Sequence, residues 1–139
     1  MHASLQGGCL CGAVRYCIVD APVAGTLCHC RSCRLASGAP SVAWTVVRVE
    51  EFRHDGAEPV EYESSTGIFR GFCGRCGTSL TWRTVERPDT IDITTATLDQ
   101  PGAFAPTKEI WIEHKLAWEA ANPSLPHYAR SSLGAKPLT

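Results

Sequence analysis

Seven of the eight cysteines fall into three short groups, Cys9-Leu10-Cys11, Cys28-His29-Cys30-Arg31-Ser32-Cys33 and Cys73-Gly74-Arg75-Cys76. If these groups bind metal, distant parts of the chain must converge on one another, a stronger constraint than any hydrophobic pattern in the sequence. Two pairs supply the four thiolates of a closed tetrahedral zinc site, whereas the triplet supplies three and leaves a position open. The first eight residues contain neither the basic segment nor the apolar run of a secretory signal. The expected compartment is therefore the reducing cytosol, where clustered cysteines read as metal ligands or catalytic groups rather than disulfides.

With 139 residues, 44% of them hydrophobic, the chain suits one globular domain. That domain is expected over residues 1–130, with a small, polar and disordered tail over 131–139. No apolar run approaches the ~20 residues of a membrane span. A formal charge of −1, from 13 Lys and Arg against 14 Asp and Glu, provides no basic field for a phosphate backbone. Neither membrane nor nucleic acid is an expected partner, and the oligomeric state is not legible.

Short strands separated by turn residues dominate the pattern. Val14, Tyr16 and Ile18 alternate with Ala13, Arg15 and Cys17, and residues 42–49 form the run richest in branched and aromatic side chains. Further strands are predicted over 60–63, 68–72, 79–83, 91–95 and 110–113. Helix is predicted only over 32–37, ended by Gly38-Ala39-Pro40, and over 115–121, stopped by Asn122-Pro123.

Glycine beside a ligand lets the chain turn tightly and aim N–H groups at sulfur, as in Cys11-Gly12 and Cys73-Gly74-Arg75-Cys76-Gly77. Cys9, Cys11, Cys73 and Cys76 are therefore assigned to a structural zinc that closes a long loop, a kind of site with an apparent binding energy of ~10 kcal/mol or more. The triplet Cys28, Cys30 and Cys33 precedes a short helix and is flanked by Arg31 and Arg34, which favours thiolates. It reads in three ways: a structural zinc completed by His29, His54, His114, His127 or an acidic residue; an open zinc; or a metal-free redox triplet. An open three-thiolate zinc is a weak Lewis acid for generating hydroxide. It suits a thiol substrate instead, held as thiolate for attack on an electrophilic carbon, which points to carbon–sulfur bond making or breaking.

Residues 7–16 (Gly-Gly-Cys-Leu-Cys-Gly-Ala-Val-Arg-Tyr), the Cys28 triplet with Gly38, and Phe72-Cys73-Gly74-Arg75-Cys76-Gly77 resemble the signature of the glutathione-dependent formaldehyde-activating enzymes, grouped with centromere protein V. The likeness runs from about Gly7 through Ala96-Thr97-Leu98-Asp99-Gln100-Pro101 to Trp118 and Leu125-Pro126. It implies a mainly β, Mss4-like β-tent of short antiparallel strands around zinc sites, with little helix. It also implies a structural zinc on Cys9, Cys11, Cys73 and Cys76, and a second, open zinc on Cys28, Cys30 and Cys33 that need not be fully occupied. The triplet would be the catalytic group and glutathione the co-substrate, in condensation with formaldehyde to S-hydroxymethylglutathione. The family's cysteine pattern identifies zinc sites better than it identifies a substrate. One departure is Lys108-Glu109-Ile110-Trp111, where the resemblance leads one to expect a histidine before the apolar pair.

Other conspicuous residues read as structural. Cys17 is an ordinary strand thiol, His114 a solvated or core histidine, and Trp44, Trp82, Trp111 and Trp118 core and cover for the zinc sites. Arg15, Arg31, Arg34, Arg70 and Arg83 are all candidates for holding glutathione carboxylates. Three functions are consistent with the sequence: a zinc-dependent carbon–sulfur lyase acting on a glutathione adduct of formaldehyde or another small aldehyde, a non-catalytic zinc scaffold or interaction module, and a thiol-based redox or metal-handling protein.

Overall fold

Ten strands form among residues 4–139, the part of the chain described by this computed structural model. They are β1 (Leu5–Gly8), β2 (Val14–Ile18), β3 (Ala24–Cys28), β4 (Val42–Arg48), β5 (Phe52–Gly56), β6 (Val60–Ser65), β7 (Ile68–Phe72), β8 (Ser79–Thr84), β9 (Thr90–Thr94) and β10 (Glu109–Ile110). The α-helix α1 (Arg31–Ser37) lies between β3 and β4, with Cys30 as its N-cap and Gly38, at φ 71°, as its left-handed C-cap. The mainly β, helix-poor expectation holds.

A three-stranded sheet has the order β1-β2-β5, and a seven-stranded sheet the order β10-β3-β4-β9-β8-β7-β6. Neighbours pair antiparallel except β10 and β3, which run parallel with Glu109 opposite Leu27. Val14, Tyr16 and Ile18 of β2 pack with Val47 of β4, Leu80 of β8 and Ile91 and Ile93 of β9, so the core joins the two sheets. Cys9 and Cys73 belong to the same cluster.

The large sheet is covered on its second face as well. There Val42 and Trp44 of β4 pack with Cys28 and Cys33, while Trp82, Ile110 and Trp111 lie against them. Burial on both faces explains why residues 42–47 lack polar alternation.

Two predicted elements differ. The strand expected over 110–113 is confined to Glu109–Ile110, because Trp111 takes a left-handed conformation (φ 57°) and residues 112–114 form a 3-10 turn. The helix expected over 115–121 does not form. Lys115 Nζ donates to the carbonyls of Leu116 and Glu119, and Glu119 turns its side chain inward to accept from Ser41 Oγ at 2.7 Å, so the segment is held by tertiary contacts instead of a helical ladder.

Candidate metal centres

The turn between β1 and β2 and the turn between β7 and β8 bring four cysteines together. The Sγ atoms of Cys9, Cys11, Cys73 and Cys76 all lie within 4.8 Å of one another. Cys9 and Cys11 Sγ are 3.6 Å apart, and Cys11 and Cys73 Sγ 3.8 Å. A tetrahedron with metal–sulfur bonds of ~2.3 Å has edges of ~3.8 Å, so these spacings fit one zinc-sized ion. Backbone N–H groups face the sulfurs: Val14 donates to Cys9 at 3.3 Å, and Arg75 and Cys76 to Cys73 at 3.4 Å. Donation from the Thr78 hydroxyl, then from its N–H, brings the Cys76 thiol down to about 5, so thiolate forms readily at this corner.

The second centre sits where β3 runs into α1. Cys28, Cys30 and Cys33 also have their sulfurs within 4.8 Å of one another, and among the described residues no fourth histidine, cysteine or carboxylate joins them. The Cys33 N–H donates to Cys30 Sγ at 3.3 Å, and Arg70 Nη1 lies 3.7 Å from Cys33 Sγ. Hydrogen bonds from the Cys28 and Cys33 thiols draw the Cys30 thiol far down, while the same contacts raise Cys28.

The histidines weighed as a fourth ligand are occupied elsewhere. His29 is fully buried, with Nε2 2.6 Å from Glu109 Oε1, and its Nδ1 lies 3.6 Å from Glu119 Oε2, just beyond hydrogen-bond reach. Glu109, also fully buried, accepts from the Asn122 N–H through its other oxygen. The residue that replaces the expected histidine therefore backs the triplet from inside, a role that local sequence does not reveal. His127 Nε2 bonds the Asn122 carbonyl at 2.8 Å, and His54 packs edge-on against Phe52. His114 does reach the triplet loop: its Nδ1 accepts the Arg31 N–H at 3.3 Å, and its ring lies 5.0 Å from that of Trp111.

A cavity of about 780 Å³ opens over the outer face of the large sheet, and all three triplet cysteines line it. Trp44, Trp82 and Trp111 form apolar walls, with Arg31, Arg70, Arg87, Lys108, Asp92 and His114 among its polar groups, and Ser131 to Leu133 contribute a further wall. Trp118 is 75% exposed and covers neither centre. Of the arginines considered from sequence, Arg31 and Arg70 face the cavity, whereas Arg15 pairs with Asp99 and Arg83 with Glu61. Cys17 lies on β2, outside both clusters.

The sequence model of the family described as glutathione-dependent formaldehyde-activating enzyme matches residues 4–114, and the chain belongs to that family. An uncharacterized lyase of Schizosaccharomyces pombe is 34% identical over 79 residues, 54% of this chain and 54% of the relative. The chain thus spans about half the length of that curated relative. Among solved structures, a Rhodobacter sphaeroides protein superposes with a TM-score of 0.57 at 22% identity, covering 73% of this chain and 97% of the other, which supports the fold.

Proposed function

We propose that the chain is a zinc-dependent carbon–sulfur lyase acting on a glutathione adduct of formaldehyde or another small aldehyde. The observation that carries this reading is that Cys28, Cys30 and Cys33 line a cavity large enough for a tripeptide and have no fourth protein ligand among the described residues. Family membership and a relative named as a lyase support it. Cys9, Cys11, Cys73 and Cys76 would hold a structural zinc.

A zinc held by the triplet supplies a soft open position that keeps a thiol sulfur in thiolate form. The chain's own groups then orient and neutralise. In the condensing direction a sulfur–carbon bond forms as the aldehyde C=O π bond breaks, placing negative charge on oxygen. Arg70, whose Nη1 lies 3.7 Å from Cys33 Sγ, would donate to that oxygen. His114 accepts at Nδ1 from Arg31, which leaves Nε2 as its protonated nitrogen and a donor for the nascent alkoxide. The tryptophan walls exclude water from the adduct.

The test is titration calorimetry of zinc-loaded protein with glutathione and with S-methylglutathione, alongside exchange spectroscopy of formaldehyde with glutathione. Glutathione is expected to bind at least tenfold more tightly and exchange to accelerate. Equal affinities remove the sulfur from the metal, and unchanged exchange leaves a zinc scaffold as the better account.

A further inference from the structure

Asp92 stands in the row Ala24, Val46, Asp92, Trp82, Arg70, which crosses β3, β4, β9, β8 and β7 on the cavity side of the large sheet. Its neighbours Ile91 and Ile93 point to the core, so alternation along β9 turns the carboxyl into the cavity. Cys28 lies four residues beyond Ala24 on β3, in register with Val42. At ~3.3 Å per residue and ~4.8 Å between strands, roughly 16 Å separates the Cα atoms of Asp92 and Cys28. Asp92 thus stands across the cavity from Cys28.

Nothing in the fold accounts for a carboxyl here. No hydrogen bond reaches it among the described residues, Arg87 is its charged neighbour, and burial pushes it up to about 7. A largely desolvated carboxyl that no hydrogen bond satisfies is costly to keep in a strand that threonine or valine would serve as well. Arg87 precedes it on the β8–β9 turn and lines the same cavity. One side of the cavity therefore presents sulfurs, and another a carboxyl beside a guanidinium.

The ligand complementary to both carries a thiol and, farther along its chain, an ammonium beside a carboxylate. We propose that Asp92 receives the ammonium of an amino-acid head on the thiol substrate, with Arg87 facing that head's carboxylate. This rests on the thiol-lyase reading of the cavity. The γ-glutamyl arm of glutathione separates sulfur from ammonium by eight bonds, roughly 10 Å when extended, and the facing side chains fill the rest of the distance, whereas a single cysteine falls short. Asp92 thus selects for length as well as charge.

The experiment compares glutathione with glutaryl-cysteinyl-glycine, in which hydrogen replaces the ammonium, by calorimetry on the zinc-loaded wild type and on Asp92→Asn. Loss of the ammonium is expected to weaken binding to the wild type about tenfold or more, the scale of a charge-assisted hydrogen bond. Asp92→Asn is expected to weaken glutathione to the same degree and to bind both ligands alike. Equal binding of the two ligands by the wild type, or discrimination retained by the variant, overturns the ammonium site while leaving the proposed reaction in place. No binding of either ligand overturns both.

Discussion

At the residue scale, the cysteines were legible because their spacing is itself a chemical statement, whereas Glu109, His29 and Asp92 were not. A glutamate between Lys108 and Ile110 reads as solvated, yet it is fully buried against His29. Asp92 reads as the polar side of a half-buried strand, and alternation does not distinguish a solvent face from a cavity wall. Its ionisation nevertheless has a thermodynamic signature. Burial raises the carboxyl from 3.8 to about 7 in the folded protein, so between those values the fold holds a proton that the unfolded chain releases. Stability from this group is therefore fully present below pH 3.8 and is lost as pH rises through about 7. Asp92→Asn removes that loss, and its melting temperature relative to wild type is expected to increase between pH 4.5 and pH 8. Thermal melts of both proteins at the two pH values check this, since protonation of the cysteines is common to both and cancels.

At the scale of elements, the central strands were legible and the ones at the margins were not. β4 and β9 carry dense branched side chains, a composition that marks them as strands. β1 carries no such mark because it ends in Gly7-Gly8; a Cβ on Gly7 would stand 2.3 Å from Tyr16 Oη, so close packing against β2 excludes the residue types typical of a strand. β5 is mostly exposed and polar, and β3 has a weak Ala-Gly-Thr start, so neither has the composition of a buried strand. The two metal centres also differ by element. Cys9, Cys11, Cys73 and Cys76 tie a hairpin of the small sheet to one of the large sheet across 62 residues or more, whereas the triplet spans six consecutive residues. Cys73→Ser and Cys76→Ser are expected to lower the melting temperature by about 10 °C or more, and Cys30→Ser and Cys33→Ser by only a few degrees while abolishing exchange activity. Equal losses in calorimetry would show that the triplet carries as much of the fold.

At the scale of the whole molecule, the two sheets share one core, but the cavity lies on the opposite face of the large sheet, so ligand chemistry is separated from the packing that holds the sheets together. Up to two zinc ions per chain are expected by elemental analysis of reduced protein. A mild chelator should remove the triplet's ion without loss of β-sheet circular dichroism, and the four-cysteine ion only as the fold melts. Zinc-free folded protein would overturn both assignments. The parallel β10–β3 pair, with Glu109 holding His29 80 positions away, covers the triplet on the side away from the cavity. Any ion held by Cys28, Cys30 and Cys33 would therefore enter and leave through the cavity mouth.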